Sequence, residues 1–197
     1  MTVNADSIDP GRTALLVMDF QHAVLGIVAD PQALLQRAAH AIELFRQRAG
    51  AVVSVRAAFL DEDFQAIPAR SKMAAIMSGS GRAMHEESDL TVVHDMVAPQ
   101  PGDVVIRKTR FSAFSTTDLD DQLRRKNIDT LVLAGISTSG SVLSTTLDAL
   151  DRDYLVYVLE DACGEPEGDV HDFLIAKILP EKAIVISVGE LESLLAS

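Results

Sequence analysis

Short runs of aliphatic and β-branched residues alternate along the chain with longer stretches whose apolar residues recur every three or four positions. This alternation predicts a parallel sheet wrapped by helices. Thr13–Phe20 (TALLVMDF) reads as a first buried strand. Pro31–Ala49 reads as a helix, with Leu34, Leu35, Ala38, Ile42 and Phe45 near helical spacing, and Gly50 separates it from a second strand over Ala51–Ala57. Strands are also expected over Asp103–Lys108, Thr130–Gly135, Leu155–Leu159 and Ala183–Ser187, and helices over Gly140–Asp151, Pro166–Leu179 and Glu190–Ala196. Thr117 is expected to cap a helix opening Asp118-Leu119-Asp120, whose acids suit the positive helix end. Residues 58–102 break the rhythm with Pro68 and a Ser78-Gly79-Ser80-Gly81 stretch, which predicts loops and short helices at the mouth of a site, with 79–81 a flexible loop. The expected architecture is α/β: a three-layer α/β/α domain on a doubly wound, mostly parallel six-stranded sheet. With no repeat, low-complexity tract or linker, residues 1–197 form a single domain.

Composition adds boundaries. Hydrophobic residues make up 48% and charged residues 23%, as in an ordinary globular domain. Cys163 is the only cysteine, so neither a disulfide framework nor a thiol cluster for zinc can form, which points to a reducing compartment. Met1–Arg12 lacks a basic region followed by an apolar stretch, so no signal peptide is read there, and no apolar run is long enough to span a bilayer. A cytoplasmic protein without a membrane partner is expected. The net charge of −12 argues against nucleic acid as partner, although a local Lys108/Arg110 pair could still hold an anion.

In doubly wound sheets ligands bind beyond the carboxyl ends of the strands, so polar residues there are the candidates. The first strand ends in Asp19, with Gln21 on the same side if the chain stays extended; the third ends in Arg107-Lys108-Thr109-Arg110; the fourth runs into Gly135-Ile136-Ser137-Thr138-Ser139-Gly140-Ser141, where a helix begins. Each has an ordinary reading: Asp19 as a turn or cap residue, Lys108 as a solvated surface residue, Gly135–Ser141 as a tight turn with an N-cap. Taken together they make a site. Asp19 beside Lys108 would stay ionised, and the backbone N–H groups at the helix start would suit an anion or a developing oxyanion. There is no dinucleotide or P-loop glycine pattern, and the five histidines lack the spacing of a metal site. Cys163 reads as a small buried hydrophobe, with the alternative that it borders the rim.

These residues resemble the isochorismatase-like hydrolases, also called the cysteine hydrolase superfamily, over most of the chain. Leu15–Gln21 is similar to that family's opening strand, which ends in a catalytic Asp within D-x-Q. Ile106–Phe114 resembles its K-x-R-[YF]-S-A-F block, whose Lys is the second catalytic residue. Leu133–Thr138 followed by Asp148-Ala149 resembles its nucleophile segment, and Asp161-Ala162 with Pro166–His171 matches the region that follows. The family's nucleophilic cysteine would fall at position 141, where this chain has Ser141. The D-x-H motif of the metal-binding nicotinamidases is replaced by Val55-Arg56-Ala57-Ala58-Phe59, so no metal and no cofactor are implied. The Gln that isochorismatases place after that strand is also missing. The resemblance further implies a cis peptide at Ile136–Ser137, an oxyanion hole from the backbone amides of Ser137 and Ser141, and a homodimer or homotetramer.

Three functions follow. One is a hydrolase of a small molecule using the Asp19/Lys108 pair without a thiol intermediate. Another is an amidase-type hydrolase with Ser141 as nucleophile, weaker because no histidine is placed to take the hydroxyl proton. The last is a catalytically silent fold member that binds a ligand.

Overall fold

The computed structural model describes residues 7–195. The first six residues of the Met1–Arg12 segment and the predicted helix end at Ala196 lie outside the described residues. Six strands form one sheet: β1 (Thr13–Met18), β2 (Ala51–Ala57), β3 (Val104–Lys108), β4 (Thr130–Ile136), β5 (Leu155–Gly164) and β6 (Ile184–Ile186), in the order β3-β2-β1-β4-β5-β6. Every pairing within the sheet is parallel, where the sequence suggested only a mostly parallel one.

The period-two alternation of the strands divides two cores. Leu15, Val17, Val132, Ala134, Tyr157 and Leu159 point to one face, where they meet α2 (Pro31–Gln47) and α8 (Val188–Leu195). Leu16, Met18, Val53, Val55, Leu131 and Leu133 point to the other, under α5 (Leu119–Arg125), α6 (Leu143–Leu150) and α7 (Gly168–Phe173). Burial on both faces is why these strands are continuous apolar runs rather than alternating ones. The result is the three-layer α/β/α arrangement. Strand order reverses at the β1–β4 junction, and the carboxyl ends of both strands open on the same crevice.

Several boundaries differ from expectation. β5 runs on to Gly164 past an irregularity between Leu133 and Gly135 of its neighbour, so Cys163 is a strand residue packed in the core. The segment expected as a helix from Gly140 opens earlier, as a wide turn over Thr138–Val142 that leads into α6. The N-cap of α5 is Asp118 rather than Thr117. The Thr117 hydroxyl donates to Ala113 O at 2.7 Å and only weakly receives Leu119 N at 3.4 Å. A short helix not foreseen in the pattern, α1 (His22–Leu25), follows β1.

The unreadable segment forms α3 (Asp61–Gln65), α4 (Lys72–Ser80) and short 3-10 turns. Ser78, Gly79 and Ser80 are helical, so the flexible loop expected at 79–81 is not present as such; only Gly81 departs, with φ 54°. Ser71 caps the start of α4 through Ala74 N. Met73, Ile76 and Met77 share one face of it, which faces a cavity. That packing outweighs the ~1 kcal/mol cost of a helical glycine. No helix of the described residues is long and apolar enough to cross a membrane.

Candidate active site

Asp19 terminates β1 in the left-handed region, φ 63°, a conformation an aspartate tolerates better than most residues. Its amide is held by Val55 O at 2.8 Å. This reversal ends the extended run, and the consequence appears two residues later. Gln21 does not share Asp19's direction. Its side-chain amide donates to Ala57 O (2.9 Å) and Thr91 O (2.7 Å), and its carbonyl accepts from Ala57 N (2.8 Å). Gln21 is fully buried and ties the ends of β1 and β2 to the 91–94 segment; it is not on the cavity wall. The expectation that it binds substrate is corrected accordingly.

Lys108 ends β3, two strands from β1. Its register partner on the intervening strand is Ala57, whose methyl leaves room for the lysine stem to cross. The ammonium is 1% exposed. It lies 2.7 Å from Asp19 Oδ2, 2.7 Å from Ser141 Oγ and 2.6 Å from Phe111 O. Three donors therefore meet three acceptors, and burial of the cation is compensated. The surface reading of Lys108 is excluded, and so is a Lys108/Arg110 pair open to an anion, since Lys108 has no donor to spare.

Ser141 enters from the turn after β4. Its hydroxyl accepts from Lys108 and donates to Asp19 Oδ2 at 2.5 Å. The turn is fixed from several sides. Ser137 Oγ accepts from Gly140 N, Ser139 N donates to Glu165 at 2.7 Å, and Thr138 Oγ1 bonds Gly164 O and His171 Nδ1. His171 thereby finds a polar partner on the turn. Gly140 is required by close approach, since a Cβ there would sit 2.7 Å from Ser137 Oγ and 3.3 Å from the Phe111 ring. The Ile136–Ser137 peptide is cis.

The carboxyl ends of β1, β3 and β4 thus converge. Asp19, Lys108, Ile136, Ser137 and Ser141 all border one cavity of about 320 Å³. Asp19 Oδ2 is shared by Lys108 and Ser141, whereas its other oxygen, Oδ1, is buried without a hydrogen-bond partner. Such an atom is costly in an idle core and is expected where a ligand or water completes the set. The remaining wall was not foreseen residue by residue. It comes from Ala23 and Val24 of α1, from Ile27 after it, from Met73, Ile76 and Met77 of α4, and from Phe59, Met84 and Phe111. The only sequence signal for it was the i, i+3, i+4 spacing of Met73, Ile76 and Met77.

This wall is clamped to the sheet by charge. Arg107 bonds Asp63 at 2.5 Å and Ala58 O at 3.0 Å, and Arg56 pairs with Glu86. Burial pushes the Asp63 carboxyl up, but the Leu60 amide, Arg107 and Arg110 together outweigh it and hold its pKa below the usual range.

Cys163 is not a second nucleophile. It is buried and bonds Leu133 O, and burial pushes its thiol up to about 12, leaving it in the unreactive protonated form. Among the described residues, no group of three or more His, Cys, Asp or Glu side chains is placed to hold a metal ion.

Comparison with known proteins bears on the family and the fold. The profile of the isochorismatase domain matches residues 13–190. The isochorismatase family protein YwoC of Bacillus subtilis (strain 168) is 31% identical over 178 residues, covering 90% of this chain and 91% of the relative. The ureidoacrylate amidohydrolase RutB of Methylobacterium radiotolerans is 30% identical over 215 residues, covering 96% of this chain and 81% of the relative. A solved isochorismatase family protein from Burkholderia thailandensis superposes with a TM-score of 0.84 at 25% identity, covering 98% of this chain and 99% of that one.

Proposed function

The chain belongs to the isochorismatase family of hydrolases, and from that premise we propose that it hydrolyses a small molecule through Asp19 and Lys108, with no covalent intermediate. Asp19 is the general base and acid. It takes a proton from water as the water adds to an electrophilic carbon, and returns that proton to the leaving atom as the intermediate collapses. Lys108 keeps Asp19 oriented and balances its charge. The backbone N–H groups of Ser137 and Ser141, at the start of the turn after β4, would hold the oxyanion.

The observation that carries this reading is the unpartnered Asp19 Oδ1 beside a satisfied Oδ2. One oxygen is fixed by Lys108 and Ser141, and the other is left for a proton of water or substrate.

A second reading has one observation in its favour: the 2.5 Å bond from Ser141 Oγ to Asp19 is the contact a nucleophile makes with its base. The amidohydrolase among the relatives is compatible with either route. The two are separated by steady-state kinetics on panels of small amides, esters and enol ethers, combined with intact-mass analysis during turnover. The first reading expects Asp19→Asn to lower kcat by about a hundredfold or more, Ser141→Ala to stay within tenfold of wild type, and no acyl adduct to form. Abolition of turnover in Ser141→Ala, with an adduct on the wild type, would establish the serine route. Wild-type turnover in Asp19→Asn would refute both.

A further inference from the structure

The cavity walls carry only three charged side chains: Asp19, Lys108 and Arg110. The first two neutralise each other at 2.7 Å, and Lys108 has all three donors engaged. Arg110 is different. Its one hydrogen bond among the described residues runs from Nη1 to Thr109 O at 2.6 Å, which leaves the rest of the guanidinium fork open. It forms no ion pair with a described residue within 4 Å; it acts on Asp63 only at longer range, and Asp63 is already bonded to Arg107. Counting the described residues, the cavity lining therefore carries one net positive charge, in a chain whose net charge is −12. An arginine with a free fork is suited to a carboxylate, which it binds through two parallel hydrogen bonds.

The rest of the wall is apolar and half open. Ile27, Ile76 and Phe111 border the cavity yet are 48%, 47% and 47% exposed, an unusual state for large apolar side chains gathered in one place. Met73, Met77 and Met84 lie deeper and can adapt to a ligand's shape. At ~30 Å³ per water-sized group, 320 Å³ holds about ten such groups.

We propose that Arg110 anchors the substrate and that the substrate class is a small monocarboxylate with an apolar body. The carboxylate sits on the Arg110 fork, the body covers Ile27, Ile76, Phe111 and the methionines, and the scissile group lies at Asp19. This deepens the hydrolase reading and rests on it for the position of the reacting group. Arg110 is thereby a specificity-determining residue, and a second acidic group on the substrate is disfavoured because it would meet either Asp19 or the methionine wall.

Calorimetric titration of the full chain tests this without turnover, using 3-phenylpropionate, its neutral counterpart 3-phenylpropanol, and succinate as a polar dianion. The acid is expected to bind at least about tenfold tighter than either of the others, the effect of one charge-assisted fork. Arg110→Gln should abolish the preference for acid over alcohol, Arg110→Lys should restore part of it, and Met77→Gln should weaken acid and alcohol alike. Equal binding of acid and alcohol by the wild type, an unchanged preference in Arg110→Gln, or no binding of the acid would overturn the proposal. The two readings fail separately. Selective binding of the acid with no hydrolysis of any amide, ester or enol ether would sink the hydrolase reading alone. Hydrolysis of neutral and anionic amides at equal kcat/KM would sink the Arg110 proposal alone.

Discussion

Replacing Lys108 by Met tests the central contact of the site. Lys108 and Asp19 are 1% and 5% exposed in their side chains and 2.7 Å apart. Without the ammonium, Asp19 would be a buried carboxylate whose remaining partner is the Ser141 hydroxyl, with Oδ1 already unpartnered. Ser141 Oγ and Phe111 O would each also lose a donor. Removing one member of a buried ion pair costs about 3–5 kcal/mol, and for a chain of this size each kcal/mol lowers Tm by about 2–4 °C. Lys108→Met should therefore melt about 6–20 °C below wild type. Adding Asp19→Asn should recover most of the loss, because the stranded charge is gone and residues in contact couple. Urea denaturation of the four proteins of this cycle at neutral pH gives each number. A Lys108→Met protein within about 1 kcal/mol of wild type, or a deficit untouched by Asp19→Asn, would refute the account of a compensated buried pair.

Gln21→Leu should destabilise the fold by about 3 kcal/mol or more, because it leaves Ala57 N, Ala57 O and Thr91 O without their shared side-chain partner; chemical denaturation measures it, and a change under about 1 kcal/mol would contradict the bridging role. The Asp63–Arg107 clamp has a carboxyl whose folded pKa is depressed. Its contribution is present above the unfolded value, near ~4, and is lost as pH falls through the lower folded value. Asp63→Asn should thus loosen α3 and α4 at neutral pH and approach wild type in acid, read as faster amide hydrogen exchange over residues 59–86 at pH 7 and a difference that narrows as pH falls below ~4.

The parts of the site legible from sequence were those set by local rules. Asp19 and Lys108 could be named because each lies at the end of an apolar run, and a strand's end in a parallel sheet is where ligands bind; Ser141 was singled out within the turn after β4 by the resemblance of that segment to a nucleophile segment. The strands themselves were readable because burial on both faces demands continuous apolar runs, and Gly50 breaks the helical pattern of α2. The cavity wall from residues 58–102 was not legible. Its helices are short, one carries Gly79, and their stability comes from packing over the site rather than from intrinsic propensity.

The sequence alone therefore determined the α/β class, the strands and the three chemical groups, because periodicity and strand termination are local properties. Tertiary structure decided what those groups do to one another. Asp19 and Ser141 are 122 positions apart and Ser141 and Lys108 are 33 apart, and only the order β3-β2-β1-β4 brings them into one hydrogen-bonded set. Tertiary structure turned Lys108 from a plausible surface residue into a saturated buried cation. It also sent Gln21 away from the cavity, because the positive φ of Asp19 breaks the alternation on which its expected direction relied.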